Sequence, residues 1–569
     1  MIRRVRVKYF KKFEEQVFDL ADSVVLAGPN NSGKTTLLQA IAVWNLALQK
    51  WLDRRARSKA KERTGVPITR KDFTAIPLRE MSLLWFNTST KLKKGDEEEG
   101  QPGTPRTMSI TLEGDSGGAP WHLTFEFSYQ SSEQVYAKPS GEHTEPLPQA
   151  AQDFQVIHVP PFSGIGAEET RYDRPYQDLL IGQGKAGDIV RNLLLEVHEK
   201  HRKEGDDGWP CLCREIETIF GCRLQSPEYE GRPFILSEYL QGIPKGKGKN
   251  GLPVLDIASG GSGFHQVLLL LGFFYARPST VLLLDEPDAH LHVILQKQVY
   301  DRLRSLAAEQ RAQLIIATHS EVLVDATSPD RIMSFYGSPH TLVSDTERDQ
   351  VREALKRVNS LDMLLSEQSP GVLYVEGESD FNLLRAWAKV LGHATIEWFE
   401  KTPYWYNNQG RNPKEARAHF FAMRAIKPEI KGFLLLDGDN RGLADREVGG
   451  DGLIVGRWKR YEIESYLFHP VALRRFAEPA AGSLFAAQGD KYLNDELPPP
   501  LLRDPLGDHA FLASEALSKT LLPAYFRACE LRLPKIEYFR VAEQMLPEEV
   551  HLDVKDMLDQ IGRDLGIVV

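Results

Sequence analysis

The sequence predicts an α/β protein in which two series of strands and helices follow one another along the chain. Short apolar segments at Val24–Ala27, Val281–Leu284 and Phe433–Leu436 each run into glycine-rich or acidic residues. Segments with helical spacing lie between such strands, as in parallel sheets whose strands are connected by helices. A chain of 569 residues is long enough for about four domains of roughly 150 residues.

The first half of the chain predicts strands and helices interrupted by loops. Residues 1–50 indicate two strands, of which Val24–Ala27 is short and apolar, then a glycine-rich turn and a helix from Thr35. Met108–Leu112 and Trp121–Tyr129 alternate as antiparallel strands do, and 186–222 predicts two helices broken by GDDGWP.

The second half begins with a buried helix, because Val267–Ala276 is an uninterrupted apolar run. Residues 350–366 predict one amphipathic helix with Val351, Leu355, Val358 and Leu361 on one face. A boundary follows near Pro370, and the pattern is helical from about 471.

The overall charge is mildly acidic. Lys and Arg total 70 and Asp and Glu total 79, which gives a net charge of −9. This excludes a uniformly basic nucleic-acid-binding surface, so contact with nucleic acid requires local patches or metal ions held by carboxylates. Basic segments at 54–71, 245–249 and 457–460 are the candidates for such patches.

The composition also predicts the cellular compartment. No apolar run approaches the roughly 18 residues that span a bilayer, and the interleaved charges at the N-terminus predict a strand rather than a signal peptide. The chain has 4 Cys, which fits a reducing cytoplasm. Cys211 and Cys213 have a C-x-C spacing without a second pair or a nearby His, so a zinc site is disfavoured.

Residues 28–35 read GPNNSGKT and fit the pattern G-x-x-x-x-G-K-[ST] between a strand and a helix. In such a loop, backbone N–H groups and the N-terminus of the helix surround phosphate groups. Lys34 is expected to bind the terminal phosphates of ATP, and Thr35 to hold Mg²⁺. The predicted nucleotide-binding residues are Asn30, Asn31, Ser32, Gly33, Lys34, Thr35 and Thr36.

Three further motifs follow in a fixed order. Ser259-Gly260-Gly261 precedes a helix and predicts a second anion site. Asp285 and Glu286 end an apolar strand, where Asp285 is expected to organise Mg²⁺ and Glu286 to polarise the attacking water. His319 follows the apolar strand Leu314–Ala317.

This order of motifs resembles that of ABC-type ATPases. The resemblance implies that Ser259, Gly260 and Gly261 are the signature motif and that His319 is the switch histidine. In that family the signature of one subunit completes the phosphate-binding loop of the other, so the resemblance implies a homodimer with ATP at its interface. Ser262 stands where the family usually has Gln.

A second group of acids follows two later strands. Gly371–Val375 ends in Glu376-Gly377-Glu378-Ser379-Asp380, and Phe433–Leu436 ends in Asp437-Gly438-Asp439. Parallel strands present their C-terminal ends to one crevice, so these acids are expected to meet there. Carboxylates brought together raise one another's pKa, and Mg²⁺ or Mn²⁺ relieves the repulsion.

These acids resemble those of a Toprim domain, which has a Glu after its first strand and D-x-D after a later one. The resemblance implies that Glu376 is the metal-associated acid–base residue and that Asp437 and Asp439 are metal ligands. Asp380 matches the additional acid of Toprim nucleases.

The segment Arg460–Leu467 resembles the acidic helix that follows in Toprim nucleases. Either Glu462 or Glu464 is then directed inward, and we favour Glu464 as the metal ligand. Lys459 is interpreted as a surface lysine rather than a phosphate-binding group.

An ABC-type ATPase joined to a Toprim domain resembles the OLD (overcoming lysogenisation defect) nucleases, whose plan Gabija-type phage-defence nucleases share. The resemblance implies an ATP-regulated, Mg²⁺-dependent DNA endonuclease, with Mn²⁺ as an alternative. Implied partners are DNA, a second copy of the chain or a higher oligomer, and an accessory defence protein. The predicted domains are an ATPase (1–345) with an insert (about 50–250) that includes dimerisation helices, a linker helix (346–369), Toprim (370–470) and a helical tail (471–569).

Other functions share parts of this pattern. An SMC- or RecF-like DNA-repair ATPase needs only the first set of motifs, although no long heptad arms are visible. A topoisomerase or primase also uses a Toprim domain. An ABC transporter ATPase leaves the second set of acids unexplained.

Overall fold

The computed structural model describes residues 1–57, 65–73, 76, 78–92, 101, 103–116, 119–140, 147–242, 252–277, 279–408, 414–439, 446–448 and 452–567. The basic segment 245–249 and residues 58–64 of the basic segment 54–71 lie outside these described residues. The chain divides into two compact units, Met1–Leu355 and Lys356–Val569. The finer division into domains stays a prediction.

The strands of unit 1 are β1 (Ile2–Phe10), β2 (Phe13–Asp19), β3 (Ser23–Ala27), β4 (Val66–Thr69), β5 (Met108–Ser116), β6 (Ala119–Ser131), β7 (Gln134–Ser140), β8 (Val156–Val159), β9 (Arg223–Leu224), β10 (Glu238–Leu240), β11 (Val254–Asp256), β12 (Val281–Asp285), β13 (Gln313–Thr318), β14 (Ile332–Ser334) and β15 (His340–Thr341). Its helices are α1 (Lys34–Arg57), α2 (Gln149–Gln152), α3 (Arg174–Gly182), α4 (Val190–Glu204), α5 (Gly208–Phe220), α6 (Ser262–Ala276), α7 (Val293–Gln310), α8 (Glu321–Asp325) and, across the division, α9 (Asp345–Arg357). Antiparallel pairing of β5 with β6 confirms the two predicted strands.

Unit 1 contains two six-stranded sheets, with α1 packed against both. The first sheet has the order β2-β1-β5-β6-β7-β4 and the second β15-β14-β3-β13-β12-β8. Alternate residues of β5 and β6 are buried, because one face of the antiparallel sheet covers α1. Trp44 of α1 is fully buried there and donates its indole N–H to the carbonyl of Leu123 at 2.9 Å.

The second sheet of unit 1 brings the motif-bearing strand ends together. Strands β3, β8, β12, β13 and β14 are parallel, and β15 is antiparallel at one edge. Asp285 pairs in register with Ala317, and Thr318 pairs with Ala27. The loops that follow β3, β12 and β13 therefore leave the sheet at the same edge.

Helices of unit 1 cover the other face of this sheet. α6 is buried along most of its length, which confirms the buried helix predicted at Val267–Ala276. The two helices predicted in 186–222 are α4 and α5. They are separated by Gly205, whose φ of 70° ends α4 in the left-handed conformation that favours glycine.

The predicted single helix over 350–366 is wrong. The structure has two helices there, α9 and then α10 (Ser360–Gln368). Asn359 accepts hydrogen bonds from the first amide groups of α10, and Asp362 accepts one from the amide of Asn359, which makes a capping box. This cap begins a new helix at Ser360. Leu361, which was predicted on the apolar face of a single helix, has 59% of its surface exposed.

The remaining strands of unit 2 are β16 (Gly371–Val375), β17 (Trp405–Asn407), β18 (Lys431–Leu436), β19 (Arg446–Val448) and β20 (Leu453–Arg457). Its remaining helices are α11 (Glu378–Val390), α12 (Ile396–Lys401), α13 (Lys414–Ile426), α14 (Pro470–Ala481), α15 (Ser483–Glu496), α16 (Pro499–Arg503), α17 (Ala510–Ser514), α18 (Leu521–Ala528), α19 (Phe539–Ala542) and α20 (Leu552–Leu565).

Unit 2 is built on one five-stranded sheet with the order β17-β16-β18-β20-β19. The strands are parallel except for β19. The C-terminal helices share a core with this sheet, because Leu373 and Phe433 cluster with Val554 and Leu558 of α20. In the described part of the chain, no helix is both long enough and apolar enough to cross a membrane.

Candidate nucleotide site and carboxylate cluster

The glycine-rich loop between β3 and α1 has the backbone of a tight phosphate-binding turn. Asn31 has φ 59° and Gly33 has φ 111°. A Cβ atom at Gly33 would lie 2.5 Å from the ring of Phe13, so glycine is required both by conformation and by space. The buried Oγ of Ser32 has no hydrogen-bond partner among the described residues, and an anionic oxygen would supply one.

Lys34 lies at the centre of this loop, and its side chain is buried. Its ammonium group donates to the carbonyl oxygens of Gly28 at 2.8 Å and of Pro29 at 2.7 Å. Burial lowers the pKa of Lys34 to about 8, although the carboxylates of Glu286 and Asp285 oppose this shift. These hydrogen bonds fix the ammonium group of Lys34 in the loop, where it can bind a multiply charged anion.

Thr35 and Asp285 bring a hydroxyl and a carboxylate together beneath the loop. Thr35 Oγ1 donates to Asp285 Oδ1 at 3.1 Å. Burial raises the pKa of Asp285 to about 6, and the Thr35 hydrogen bond only partly offsets this. The exposed hydroxyl of Thr35 and the buried carboxylate of Asp285 could together hold Mg²⁺, which prefers oxygen ligands.

Glu286 and His319 meet above the strand ends. His319 Nε2 lies 2.9 Å from Glu286 Oε1 and 3.4 Å from Lys34 Nζ. The hydrogen bond from His319 lowers the pKa of Glu286 and keeps its carboxyl group ionised. An ionised carboxylate oriented by a histidine could position a water molecule.

Lys34, Glu286 and His319 line one cavity of about 610 Å³, together with residues that the sequence did not indicate. Lys11 and Lys12 come from the β1–β2 turn, and Leu83 and Asn87 come from the segment before β5. No local motif marks them, because only the tertiary fold brings them to the loop.

The predicted signature residues do not line this cavity. Ser259 and Gly261 are exposed, and Gly261 caps the N-terminus of α6. Gln266 of α6 was also missed by the sequence reasoning: it donates to the backbone carbonyl of Glu286 at 3.1 Å. Within one chain, α6 therefore links the exposed motif Ser259–Gly261 at its N-terminus to Glu286 at the end of β12.

In unit 2, the acids that follow β16 and β18 converge as expected for parallel strands. The amide of Asp437 lies 3.5 Å from Glu376 Oε1, and Asp437 Oδ1 accepts a hydrogen bond from the amide of Ile463 at 3.0 Å. Burial raises the pKa of Asp437 well above its usual range, and the charges of Glu376 and Asp380 reinforce the shift. Burial likewise raises the pKa of Asp380 to about 6.

Between the two aspartates, Gly438 permits a close backbone approach. A Cβ atom at this position would lie 2.2 Å from the carbonyl oxygen of Arg460. The amide of Asp439 donates to the carbonyl of Tyr461 at 2.9 Å, which fixes the loop against the segment that follows β20. Both aspartates therefore stay beside the residues that follow β20.

Glu464 is the glutamate that faces this cluster. It is fully buried in the short 3-10 helix Ile463–Leu467, and its charge contributes to the raised pKa of Asp437. Glu462 instead accepts hydrogen bonds from Ser518. The segment expected to resemble an acidic helix is thus a single 3-10 turn.

Lys535, from the C-terminal region, was missed by the sequence reasoning. Its Nζ lies 2.7 Å from Glu464 Oε1. Although burial opposes it, the carboxylates of Glu464 and Asp380 raise the pKa of Lys535 to about 12. No spacing signal could link this lysine to acids so distant in sequence.

The donor set of the cluster suits a hard divalent cation. Burial raises the pKa of Asp437 and of Glu464, and the charge of Asp380 raises both further. A cation such as Mg²⁺ would relieve this repulsion. Within the described residues, no group of three or more His, Cys, Asp or Glu side chains is already arranged to share one metal ion. In the structure, Lys535 provides the charge compensation at Glu464.

The basic segment 457–460 is not an exposed patch, so this expectation is corrected. Arg457 and Arg460 are buried, and Arg460 donates to backbone carbonyls such as that of Ser465. Lys459 pairs with Asp553 at 2.6 Å. The two arginines are used inside the fold, whereas Lys459 is exposed, as expected of a surface lysine.

Comparison with known proteins supports the ATPase reading of unit 1. A family described as "AAA domain" matches residues 4–130, and one described as "AAA domain, putative AbiEii toxin, Type IV TA system" matches residues 241–325. No curated protein matches the chain. The chain therefore carries an AAA-type P-loop ATPase region in a mixed α/β fold.

Solved structures include similar chains at low identity. The SMC head domain from Thermotoga maritima has 15% identity and a TM-score of 0.31, over 58% of this chain and 94% of that chain. An Smc head bound to the C-terminal winged-helix domain of ScpA has 15% identity and a TM-score of 0.34, over 58% and 93%. An Smc head with an extended coiled coil, bound to the C-terminal domain of ScpA derived from Pyrococcus furiosus, has 15% identity and a TM-score of 0.32, over 58% and 92%.

Proposed function

We propose that this chain is an ATP-binding, Mg²⁺-dependent DNA endonuclease of the OLD type. The ATPase site is the cavity around Lys34, and the nuclease centre is the carboxylate cluster of unit 2. The observation that carries the nuclease proposal is the convergence of Asp437 with Glu376, Asp380 and Glu464 at one sheet edge. Their order along the chain is that of Toprim nucleases.

In the nuclease centre, Asp437, Asp439 and Glu464 are the ligands for Mg²⁺ or Mn²⁺. A bound divalent cation supplies Lewis-acid stabilisation of the leaving oxygen and lowers the pKa of water. Asp380, whose pKa is raised to about 6 by burial, can take up or release a proton near neutral pH. Glu376 lies beside it as the acid–base residue that the Toprim resemblance implies. The ammonium group of Lys535, which pairs with Glu464, can instead pair with a phosphate oxygen of the DNA.

In the ATPase site, Lys34 and the loop amides bind the phosphates, while Thr35 and Asp285 hold Mg²⁺. Glu286 orients the water, and His319 keeps Glu286 ionised. The ABC-type resemblance implies that a second copy of the chain supplies the motif Ser259–Gly261. The exposure of Ser259 and Gly261, and their absence from the cavity lining, support this arrangement. A role in phage defence and an accessory protein follow from the family resemblance alone.

Cleavage of supercoiled plasmid in Mg²⁺ or Mn²⁺, with and without ATP, tests the proposal. Wild type should nick or linearise the plasmid, and Glu376→Ala and Asp437→Ala should lose cleavage by about a hundredfold or more while ATP binding survives. Asp495→Asn, at an exposed site on α15, is the control and should cut normally. Retained cleavage in both alanine variants refutes the assignment of the centre.

The alternatives give different results in the same assay. An SMC- or RecF-like ATPase without nuclease activity hydrolyses ATP and leaves every DNA intact. A topoisomerase-like enzyme leaves a covalent protein–DNA adduct that survives denaturation. Free DNA ends without an adduct support the endonuclease.

A further inference from the structure

The segment that leads into the motif Ser259–Gly261 is bound to the inside of unit 1 by a buried arginine. Arg191, in the first turn of α4, is 1% exposed and donates from its guanidinium group to Asp256 Oδ1 at 2.7 Å. The same oxygen accepts the amide N–H of Ala258 at 2.7 Å and so caps the 3-10 helix Ile257–Ser259. The side chain of Arg191 therefore acts on the backbone that carries the motif.

Ser259 itself is held by the same aspartate. Its hydroxyl group donates to the backbone carbonyl of Asp256 at 2.8 Å. From α6, His265 Nε2 lies 2.7 Å from the carbonyl oxygen of Ile257 and is the donor, because a carbonyl oxygen only accepts. The first and last residues of the 3-10 helix are thus both fixed, and Asp256 joins this helix to α4.

The arginine has a fixed place of its own. Its guanidinium group also donates to the carbonyl oxygens of Gly166 at 2.9 Å and Ala167 at 3.1 Å. Glu169 is buried and accepts the amide N–H groups of Arg191 at 2.9 Å and of Asn192 at 2.6 Å, which have no partner inside α4 because they lie in its first turn. The planar guanidinium group is therefore held in one orientation by the loop before α3.

This arginine lies outside the ATPase cavity of its own chain. Neither Arg191 nor Asp256 is among the residues that line the cavity around Lys34. Its route to a bound nucleotide is the motif that Asp256 carries. We propose, on the basis of the ATPase dimer proposed above, that Arg191 is a positioning residue for ATP hydrolysis: it acts through Asp256 and holds Ser259 in the geometry that binds the ATP of a second copy of the chain.

Arg191→Met tests this role, because it removes the guanidinium group and keeps an apolar side chain. The matched control is Arg277→Met, since Arg277 is 4% exposed, follows α6 and pairs with the partly exposed Asp178 at 2.7 Å. Both variants should lower the thermal midpoint. Only Arg191→Met should lower kcat for ATP, by about tenfold or more, with the Kd for ATP of the dilute chain within about threefold of wild type. Equal kcat values in the two variants overturn the proposal.

Mixing two inactive variants shows whether the effect reaches a second copy of the chain. Lys34→Ala lacks the phosphate-binding lysine and keeps the motif in place, whereas Arg191→Met keeps the lysine and has lost the support of the motif. A mixed pair therefore has one intact shared site. An equimolar mixture should recover about a quarter of the wild-type ATPase rate, because about half of the pairs are mixed and each has one working site of two.

Gly261→Asp separates this role from the proposed dimer. A Cβ atom at Gly261 meets nothing within 4 Å in its own chain, so aspartate fits the monomer but repels ATP bound to a partner. Mixed with Lys34→Ala, it should recover activity as well. Recovery with Gly261→Asp but not with Arg191→Met overturns the role of Arg191 and leaves the dimer standing. Full activity of Gly261→Asp alone, or recovery in neither mixture, refutes the shared ATP site itself.

Asp256→Ala carries the same test if Arg191→Met does not fold. The side chain of Asp256 is 37% exposed, so its removal disturbs the interior less. It should show the same loss of kcat and the same recovery with Lys34→Ala. Where all variants fold, Arg191→Met combined with Asp256→Ala should be no slower than the slower single variant, because both changes break one contact. Losses of kcat that multiply would show that the two residues act separately, against the proposal.

Discussion

His319 Nε2 lies 2.9 Å from Glu286 Oε1, so the loops that follow two neighbouring strands are joined by one hydrogen bond. The bond lowers the pKa of Glu286 and fixes the direction of its carboxylate. Glu286 has φ 50°, a strained conformation for a residue with a side chain. The pair is therefore held by the fold rather than formed by chance at the surface.

Removing His319 should slow ATP hydrolysis more than it weakens ATP binding. In His319→Ala, Glu286 loses its orienting partner, so we expect kcat for ATP to fall about 10- to 100-fold with KM within about threefold. Steady-state phosphate release measures both. His292→Ala, an exposed histidine before α7, is the control and should behave as wild type. Unchanged turnover in His319→Ala would contradict the assigned role.

ATP affinity should fall at alkaline pH because of Lys34. Burial lowers the pKa of this lysine to about 8, and only the protonated form attracts phosphate. The charged fraction drops about tenfold between pH 7.5 and 9, so the Kd for ATP should rise by a similar factor. Calorimetric titrations across this range measure it. Lys34→Arg keeps its charge and should give a flatter profile; a wild-type Kd independent of pH rules out the explanation.

Asp437→Asn should stabilise the metal-free chain while abolishing cleavage. The folded-state pKa of Asp437 is raised, so the native state loses stability as pH rises through that pKa. Asparagine removes the repulsion and still offers an oxygen to the amide of Ile463. We expect the thermal midpoint to rise by about 2–8 °C at pH 8 and by less at pH 5.

The thermal midpoints of the same proteins should respond differently to added Mg²⁺. Mg²⁺ should raise the midpoint of wild type and of the exposed control Asp495→Asn, because it binds the folded state. It should leave Asp437→Asn nearly unchanged. Equal Mg²⁺ stabilisation of all three proteins would show that the ion binds elsewhere.

Lys535→Met should destabilise unit 2 by about 1–3 kcal/mol. It leaves Glu464 fully buried without its cation, but Lys535 is half exposed, so the cost is below that of a wholly buried pair. Urea unfolding measures the change. Lys535→Met combined with Glu464→Gln should recover most of the stability and none of the cleavage. A double variant as unstable as the single one would show that the ion pair is not the cause.

Much of the ATPase site could be predicted from the sequence because its parts are local patterns attached to strand ends. The loop at 28–35, Asp285 and His319 each follow an apolar strand, and a parallel sheet brings such ends to one edge. The same rule predicted that Glu376 and Asp437 would approach each other.

The site residues that the sequence did not indicate are brought into place by tertiary packing. Lys535 reaches Glu464 because the C-terminal helices share a core with the sheet, which no short pattern records. Lys12 reaches the glycine-rich loop from the β1–β2 turn. Asn359 and Asp362 form a capping box that separates α9 from α10. The apolar residues keep a helical spacing across this break, and that spacing led to the prediction of one continuous helix.

Ser259→Arg should prevent ATP-dependent pairing of two chains. Ser259 is exposed before α6 and outside the cavity of its own chain, so an added arginine has room in the monomer but meets the partner's site in the proposed dimer. In a Glu286→Gln background, which slows hydrolysis, light scattering with ATP and Mg²⁺ should show a doubled mass only with Ser259 intact. Ser305→Arg on the exposed face of α7 is the matched control and should still pair. Pairing that survives Ser259→Arg would place the interface on another face.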